Sequence, residues 1–423
     1  MKILVSSDID PTEVIGGAER TLNAEVLELA RLGYQITVLV RSESGSRPPR
    51  EIWNGIKMVR FQVPSGKGLL SFAVTLREAK KAAASELNLD KYDVVFLQQP
   101  LSGLGVQLSR DRSDIPIIYQ YHSPWSEEYR IRRIRDRKPL ANPDQIRSTA
   151  SETLQIALRR WIEGKVIYRA DRVLFLSEYM ASQAFHLHPR LEKSKTAIIP
   201  GGVDTEHFRP VERRELQRQK LGVAPDEALL LTVRNLEPRM GLGNLLEAMP
   251  HILRSEPKAI CMIGGSGPLE VALRQKATEL GLGDRVRFTG FIPEADLPGY
   301  YSAADLFVLP TSALEGFGLV TVEALACGTP VVGTPIGGTP EILRGLDPKL
   351  ILAGANPSDI ADGVLENLTR IRKDPSGWRE RCRRYAVENY SWPAVVAQLE
   401  EVFQEVVSGT ATITRHSDAP LRR

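Results

Sequence analysis

Short apolar runs alternate with helical stretches along nearly the whole chain, and this alternation constrains the fold more than any other feature. In the first half the runs are KILVSS, YQITVLVR, DVVFLQQ, IPIIYQYH, DRVLFLS and TAIIP, rich in Val, Ile and Leu. The second half restarts the alternation with ALLLTV, KAICMIGG, RVRFTGF, DLFVLPT and TPVVGT. Short buried strands separated by helices indicate parallel sheets covered by helices on both faces. The sequence therefore predicts an α/β fold with two doubly wound domains.

The restart of the alternation places the domain limits. We expect an N-terminal domain over residues 1–204, a second domain over 205–388, and a final helix over 389–407 that contains SWPAVVAQLEEVFQEVV. Residues 408–423 lack apolar periodicity, so we expect them to be a disordered tail. In doubly wound sheets ligands bind beyond the carboxyl ends of the strands. Two facing domains would therefore form a cleft lined by strand-end residues.

Composition limits the class of protein. The chain has 423 residues, 42% of them hydrophobic and 25% charged, which is typical of a soluble globular protein. A net charge of +3 does not indicate nucleic acid as a partner. The start, MKILVSSDIDP, is a buried first strand rather than a signal peptide, and no apolar stretch approaches bilayer length. We therefore expect a cytoplasmic protein.

The stretch EGFGLVTVEALACGTPVV holds two carboxylates, Glu315 and Glu323, eight positions apart. It follows an apolar strand and opens a helix, and a helix N-terminus offers unpaired N–H groups to a phosphate. Gly316 and Gly318, with Phe317 between them, would let the backbone approach that anion closely. A carboxylate on each side of an anion site fits a nucleotide-sugar. The alternative is a capped helix with two surface glutamates.

Other glycine-rich turns also follow strands. IGGSGPLE contains Gly265 and Ser266 but lacks the third glycine of the dinucleotide fingerprint, so it fits a phosphate or sugar loop better than NAD. IGGTPEIL is a further Gly-Gly turn, which is weak evidence by itself. In the first half, GGAER places Gly17 where the first strand leads into a helix, which also suits an anion.

Several polar residues of the first half remain open to two interpretations. His122 ends the strand IPIIYQYH, so it is either structural or directed at the predicted cleft. Asp8 and Asp10 form an Asp-x-Asp pair that can hold a divalent metal, but we favour a loop and expect no metal. His186 and His188 have no third ligand nearby in sequence, and we expect both at the surface.

The segment RIRRIRDRK, residues 130–138, is strongly basic. It is either a solvated face or a site for an anionic acceptor or a membrane surface, because Ile131 and Ile134 add an apolar pair.

Taken together, these motifs resemble a retaining glycosyltransferase of family 4, whose GT-B fold pairs two Rossmann-like domains across a cleft. The resemblance runs from GGAER through IPGGVDTEHF, IGGSGP, FTGFIPEADLPGYYSAADLFVLPTSALEGFGLVTVEALACGTPVV and GGTPEI to the closing YSW. It implies that the last helix crosses back onto the first domain. It also implies that the co-substrate is a nucleoside diphosphate sugar and that no metal cofactor is bound.

The resemblance also assigns roles to individual positions. Glu323 would bind the nucleotide ribose, and Glu315 would contact the hydroxyls of the donor sugar. The diphosphate would meet the backbone of Gly318 and Leu319. The base would lie near Phe291 and Ile292, and His122 would meet the donor sugar near the reacting carbon.

One segment departs from the family pattern. Many relatives carry Gly-Arg-Leu-x-x-x-Lys-Gly, in which the Arg and the Lys neutralise the diphosphate. Here Asn235 and Met240 occupy those two positions, and an arginine, Arg234 or Arg239, stands one place before each. We expect these arginines to substitute for the missing cations.

The sequence thus predicts transfer of a sugar from a nucleoside diphosphate sugar to an acceptor hydroxyl, with retention of configuration. The nucleotide of the donor would be UDP, GDP or ADP. Two alternatives remain. One is a phosphorylase or sucrose-type synthase on the same fold. The other is a catalytically impaired nucleotide-binding partner subunit, which the altered Arg/Lys segment suggests.

Overall fold

The structure, a computed structural model, describes residues 1–12, 17–43, 47–63, 69–109, 115–137 and 148–409. The chain divides into two compact units. The first contains Met1–Arg130, Thr149–Pro200 and the segment from Trp392 onward, and the second contains Ile131–Ser148 and Gly201–Ser391. Most of the tail that the sequence predicted to be disordered, residues 410–423, lies outside the described residues.

The first unit is built on an eight-stranded sheet. Its strands are β1 Lys2–Ser7, β2 Gln35–Glu43, β3 Arg50–Trp53, β4 Ile56–Val63, β5 Val94–Leu97, β6 Ile117–Tyr121, β7 Arg172–Phe175 and β8 Thr196–Ile198. Its helices are α1 Gly17–Arg31, α2 Leu69–Leu89, α3 Pro100–Ser109, α4 Trp125–Arg137, α5 Ala150–Arg169, α6 Glu178–Leu187 and, at the end of the chain, α15 Trp392–Ser408. Helix α4 continues past Arg130, so its last turns are grouped with the second unit.

The strand order in this sheet is β3-β4-β2-β1-β5-β6-β7-β8, and every pair is parallel except the β3–β4 hairpin. Asn54 and Gly55 form the turn of that hairpin, both with positive φ (48° and 80°). Two such residues are what a two-residue hairpin turn requires.

The second unit is built on a five-stranded sheet. Its strands are β9 Ala228–Val233, β10 Ala259–Gly264, β11 Val286–Gly290, β12 Leu306–Leu309 and β13 Val331–Gly333. Its helices are α7 Arg214–Lys220, α8 Leu242–Ser255, α9 Glu270–Glu279, α10 Leu297–Ala303, α11 Leu319–Ala326, α12 Thr339–Leu346, α13 Pro357–Ile371 and α14 Pro375–Tyr390. The strand order is β11-β10-β9-β12-β13, all parallel.

The central strands of each sheet are buried on both faces. Every residue of β5, β6, β10 and β12 is buried, as the continuous apolar runs of the sequence predict. Helix α15 packs in the first unit, where Phe403 meets Phe96 of β5 edge to face at 5.3 Å between ring centres. The Tyr34 hydroxyl, just after α1, donates to Glu400 Oε1 of α15 at 2.6 Å. The prediction of two doubly wound sheets with a returning C-terminal helix is confirmed.

Both sheets have a point where the direction of strand addition reverses. In the first it lies between β1 and β5, and in the second between β9 and β12. The loops beyond the carboxyl ends of the two strands diverge there and leave room for a ligand. Among the described helices, none has the length and apolar character needed to cross a membrane.

Candidate functional site

The predicted donor-site segments of the second unit all follow the carboxyl ends of neighbouring strands. Arg234 comes directly after β9, Gly265 after β10 and Phe291 after β11, while Glu315 lies in the loop between β12 and α11. Because these strands are parallel, their carboxyl ends share one edge of the sheet. The fold therefore gathers residues that are up to 81 positions apart in sequence.

Backbone hydrogen bonds join three of these segments. The Arg234 amide donates to the Gly264 carbonyl at 2.9 Å, and the Leu236 amide donates to the Ser266 carbonyl at 2.9 Å. The Gly265 amide in turn donates to the Gly290 carbonyl at 2.7 Å. Gly265 has φ +117°, and a Cβ there would overlap the carbonyl oxygen of Arg234. Only glycine permits this close approach, so the glycine-rich turn holds the Arg234 segment in place.

Arg234 and Glu315 form an ion pair across the switch point between β9 and β12. The two residues are only 7% and 9% exposed. Thr311 completes the cluster, since its Oγ1 receives the Arg234 Nη1 hydrogen at 3.1 Å and lies 3.3 Å from Glu315 Oε2. Burial by itself would raise the pKa of Glu315, but the charges of Arg234 and Arg239 outweigh burial and hold that pKa below its ordinary value. Glu315 is thus held as a carboxylate.

Arg239 reaches the same loop from a one-turn helix over Pro238–Met240. Its Nη1 donates to the Leu314 carbonyl at 2.8 Å, and its own carbonyl accepts the Ser312 amide at 2.8 Å. Leu314 has φ 47°, an uncommon conformation for a residue with a side chain. Arg239 therefore holds the backbone of Leu314, the strained residue that precedes Glu315.

Met240 stands where many relatives have lysine. It is 4% exposed, and its Sδ lies 2.8 Å from Arg234 Nη2. Asn235 lies beside Arg234 at an exposed position. The two arginines at 234 and 239 are the cations whose charges lower the pKa of Glu315.

Helix α11 begins at the end of the Glu315 loop. Gly318, with φ +92°, is its N-cap and supplies no side-chain hydrogen bond to the first turn. A Cβ on Gly318 would lie 2.9 Å from Thr339 Oγ1 and 3.2 Å from Thr321 Oγ1. Both hydroxyls are buried and have no hydrogen-bond partner among the described residues. Two unsatisfied hydroxyls and an uncapped helix end make this a place that an anion fits.

Glu323 lies in the second turn of α11 and is 4% exposed. The Tyr301 hydroxyl donates to its Oε2 at 2.8 Å. Of the pair predicted to meet the base, Ile292 is buried against Gly264, whereas Phe291 is 74% exposed. An exposed aromatic ring beside a strand end is suited to stacking on a flat ligand.

Two contributors were not identified from the sequence, Tyr301 on Glu323 and Thr311 on Glu315. The IGGTPEIL turn, which was weak evidence by itself, also contributes, since its Gly338 amide donates to the Glu315 carbonyl at 3.0 Å. The Gly-Gly pair after a strand is a sequence feature that pointed to the turn. Tyr301 and Thr311 have no such feature and are indistinguishable in sequence from ordinary core residues.

The first unit places His122 directly after β6, where its Nε2 lies 2.6 Å from Gln98 Oε1. Burial lowers the pKa of His122 to about 4, so the ring is neutral near pH 7. Gly17 opens α1 at an exposed position, and Gly16 lies outside the described residues.

The Asp-x-Asp pair is engaged with protein groups. Asp10 accepts from Arg60 Nε at 2.8 Å, and Asp8 accepts the Ser102 amide at 3.2 Å. Within the described part of the chain no cluster of three His, Cys, Asp or Glu residues could hold a metal ion.

The surface location predicted for His188 is wrong. His188 is 2% exposed and its Nε2 lies 2.9 Å from Glu163 Oε2. It caps the end of α6 and meets α5, so it is a core histidine paired with a buried glutamate. His186 is exposed, as expected.

The basic segment falls in the second half of α4. Arg130 pairs with Glu127 at 2.7 Å, while Arg132 and Arg133 are exposed. Ile131 and Ile134 are buried. The side chains of 135–137 and all of Lys138 lie outside the described residues.

Two family models match the chain. The model described as Glycosyltransferase Family 4 matches residues 15–207, and the model described as Glycosyl transferases group 1 matches residues 213–388. The two ranges correspond to the two halves that the sequence alternation separates.

Curated relatives resemble the chain over most of its length. The D-inositol 3-phosphate glycosyltransferase of Actinosynnema mirum is 29% identical over 411 residues, which cover 90% of this chain and 91% of that protein. The GDP-mannose-dependent alpha-(1-6)-phosphatidylinositol monomannoside mannosyltransferase of Mycolicibacterium smegmatis is 32% identical over 243 residues, 55% of this chain and 62% of that protein.

Solved structures agree in fold. The sucrose-phosphate synthase of Thermosynechococcus elongatus has a TM-score of 0.76 and 24% identity, and covers 97% of this chain and 100% of that one. Anabaena HepE in complex with UDP and glucose has a TM-score of 0.68 and 19% identity, over 96% and 100% of the two chains.

Proposed function

Because this chain is a member of glycosyltransferase family 4 with the GT-B fold, we propose that it moves a sugar from a nucleoside diphosphate sugar to an acceptor hydroxyl, with retention and without a metal ion. The observation that carries this proposal is the buried Arg234–Glu315 pair, with Arg239 beside it, in the loop that leads to the α11 N-terminus. This arrangement places a fixed carboxylate, two cations and an anion-ready helix end at one edge of the sheet.

The donor would bind with its diphosphate at the backbone of Gly318 and Leu319. The hydroxyls of Thr321 and Thr339 support this position, since both are buried beside Gly318 without a partner among the described residues. Glu323 would bind the ribose through its carboxylate, oriented by Tyr301.

The rest of the donor site follows from the strand-end loops. Phe291 and Ile292 would meet the base, and Gly265 and Ser266 would line the site from the β10 turn. Gly316 and Phe317 would line the donor site beside Glu315, whose carboxylate would bind the hydroxyls of the sugar. His122 would meet the sugar near the reacting carbon.

Catalysis would rest on the leaving diphosphate, which gains negative charge as the bond to the anomeric carbon breaks. Positive charge held in advance near that group stabilises the transition state more than the ground state. Arg239 would supply this charge, and Arg234 would support it while keeping Glu315 ionised. No bound metal would be needed in this account because the two arginines and the helix end would meet the diphosphate.

The acceptor would be anionic. Several curated relatives are named D-inositol 3-phosphate glycosyltransferase and another is named a phosphatidylinositol monomannoside mannosyltransferase, so phosphate-bearing acceptors recur in the names of proteins similar to this chain. The exposed Arg132 and Arg133 of α4 would attract such an acceptor. A membrane-associated acceptor would use the same charges.

Thermal-shift measurements with UDP, GDP and ADP sugars would identify the donor, since a ligand that binds only the folded state raises the melting temperature. The preferred donor would then be incubated with an inositol phosphate acceptor and the product followed by proton NMR. We expect a product whose anomeric configuration equals that of the donor. An inverted product would overturn retention. Binding of a nucleotide-sugar without hydrolysis or transfer would instead indicate a partner subunit that binds nucleotide but is not an enzyme.

A further inference from the structure

Glu25 is a buried carboxyl in the first unit that the proposed chemistry does not use. It lies on α1 and is 1% exposed, and no cationic side chain pairs with it among the described residues. Burial raises the pKa of Glu25 to about 8, against hydrogen bonds from Gln120 and Gln98 that lower it. A buried acid without a counter-ion is costly, so its hydrogen bonds are informative.

Those hydrogen bonds connect Glu25, Gln120, Gln98 and His122 in series, and these four residues form a hydrogen-bonded line. The Gln120 Nε2 donates to Glu25 Oε1 at 2.8 Å, and the Gln98 Nε2 donates to Gln120 Oε1 at 3.1 Å. The Gln98 Oε1 then faces His122 Nε2 at 2.6 Å. A second, longer contact joins Gln98 Nε2 to Glu25 Oε2 at 3.3 Å. Gln98 and His122 follow β5 and β6, and Gln120 lies within β6.

The acid end fixes the direction of the line. A carboxylate only accepts, so both amides present their NH₂ groups towards Glu25 and their oxygens away from it. Gln98 therefore offers oxygen to His122, and His122 Nε2 must carry the hydrogen that it donates.

A protonated Glu25 keeps the same direction. Its Oε1 still accepts from Gln120, so Gln120 Oε1 still needs a donor and receives it from Gln98. Flipping the side-chain amide of Gln98 would place its oxygen 3.1 Å from Gln120 Oε1, so that two acceptors would face each other. Flipping the amides of both Gln98 and Gln120 would direct two amide oxygens at Glu25. A protonated Glu25 has one hydrogen to donate, so one of those oxygens would lack a donor.

In a neutral imidazole with hydrogen on Nε2, the other nitrogen is a bare acceptor. His122 Nδ1 is buried and has no hydrogen-bond partner among the described residues. A buried acceptor without a partner is rare in native proteins, and a hydroxyl that donates to His122 Nδ1 would satisfy it.

We propose that Glu25, through Gln120 and Gln98, holds His122 in the Nε2–H form so that Nδ1 accepts a hydrogen bond from a hydroxyl of the bound sugar. In this role Glu25, Gln98 and Gln120 are positioning residues, and His122 is a neutral acceptor rather than a general acid. The identity of the ligand as a sugar rests on the proposed function, whereas the tautomer of His122 does not.

The tautomer can be read in the ligand-free full-length chain by long-range ¹H–¹⁵N NMR of histidine side chains. The chain has 6 histidines, and a His122→Gln variant identifies the signals of His122. We expect one neutral tautomer, with hydrogen on Nε2, from pH 6 to pH 8. An Nδ1–H form, or a charged ring at pH 6, would overturn the proposal.

Two variants test the line itself. Gln98→Lys places a donor where Gln98 Oε1 now accepts and lets the lysine pair with Glu25, so His122 should change to the Nδ1–H form. Glu25→Leu removes the end of the line and should let the second tautomer appear. Glu163→Leu is the matched control, because it removes another buried glutamate that contacts a histidine, His188, and should leave His122 unchanged. A parent-like His122 spectrum for Gln98→Lys or Glu25→Leu, with melting temperatures showing a folded protein, would overturn the role of the line.

Kinetics provide the second readout. Gln98→Lys turns the Nδ1 acceptor into a donor, so the KM for the donor sugar should rise roughly fivefold or more. The affinity for the bare nucleotide should stay at the parent value, and Glu163→Leu should keep the parent KM. An unchanged KM together with an inverted tautomer would overturn the sugar contact. A chain that shows the expected tautomer but cleaves no nucleotide-sugar would instead count against the proposed function.

Discussion

Arg234 and Glu315 lie 81 residues apart in sequence and meet as a buried ion pair where the strand order of the second sheet reverses. Removing one member would leave the other charge buried without its partner, which is far more costly than the net value of the pair. Arg239 adds a second cation at the same loop. The second unit thus concentrates positive charge beside a fixed carboxylate, and the predictions below test what that charge does.

Arg239→Met should lower turnover by about 30-fold or more, corresponding to roughly 2–4 kcal/mol of transition-state stabilisation. The donor KM should change little, because the charge matters most when the diphosphate leaves. Steady-state kinetics would show this. Arg274→Met on α9, which removes an exposed arginine paired with Glu270, is the control and should behave as the parent. Parent-like turnover in Arg239→Met would mean that Arg239 serves only the Leu314 carbonyl.

Met240→Lys restores the lysine of related sequences at a buried position next to Arg234. We expect it to lower the melting temperature of the parent, because an added buried charge beside an arginine is unfavourable. Combined with Arg239→Met, it should recover part of the lost turnover if both positions serve one phosphate. If a folded double variant recovers none of the turnover, positions 239 and 240 do not serve the same phosphate.

Glu323→Ala should weaken nucleotide binding by tenfold or more, about 1.4 kcal/mol or more, while the fold survives. The carboxylate would lose its bonds to the ribose, and Tyr301 would lose its acceptor. Calorimetric titration with the nucleotide measures this directly. Glu279→Ala on α9, an exposed glutamate that contacts Gln275, should bind as the parent does. Equal affinities for parent and Glu323→Ala would remove Glu323 from the nucleotide site.

Replacing Arg132 and Arg133 with Gln should leave donor hydrolysis intact and reduce transfer to a phosphate-bearing acceptor. Extending the change to Arg130 and Arg135 should deepen the loss. The transfer rate should also become less sensitive to salt, since screening acts on the exposed charges of Arg132 and Arg133. Comparing hydrolysis and transfer in one assay separates the two steps. A parallel fall in both rates would argue against an acceptor role for α4.

Glu25→Gln should change the pH dependence of stability. The pKa of Glu25 is raised to about 8 in the folded chain from 4.5 as its ordinary value. The parent therefore loses stability as the pH rises from about 4.5 to about 8, because the unfolded chain ionises this group before the folded one does. Melting temperatures of the parent should fall relative to Glu25→Gln across that range. A constant difference between the two proteins would show that Glu25 ionises normally.

Much of the fold follows from local pattern. The apolar runs of β1, β5 and β9–β12 predict buried parallel strands, because a strand covered on both faces has no polar side. The β3–β4 hairpin is absent from the predicted strands, although Asn54-Gly55 between two alternating runs is its signal. The glycine-rich turns IGGSGPLE and IGGTPEIL also lie where the sequence places them, each after a strand.

The contacts within the site depend on the packing of distant segments and could not be read from the sequence. That Arg239 turns to the Leu314 carbonyl is decided by how the loop after β9 packs on the loop after β12. His188 was assigned to the surface because no third metal ligand lies near it in sequence, and only the position of Glu163 on α5 explains its burial. Glu25 occupies an ordinary-looking helix position, and its importance appears only once Gln98 and Gln120 are brought beneath it.

The central claim is that this chain cleaves a nucleoside diphosphate sugar with its own charged side chains and a helix N-terminus, without a metal ion. The most direct test is nucleoside diphosphate release from UDP, GDP and ADP sugars by the full-length chain in excess EDTA. We predict release from one of these donors at the same rate with and without EDTA, and loss of release in Glu315→Gln. No cleavage of any donor, or cleavage that returns only when a divalent metal is added, would contradict the account.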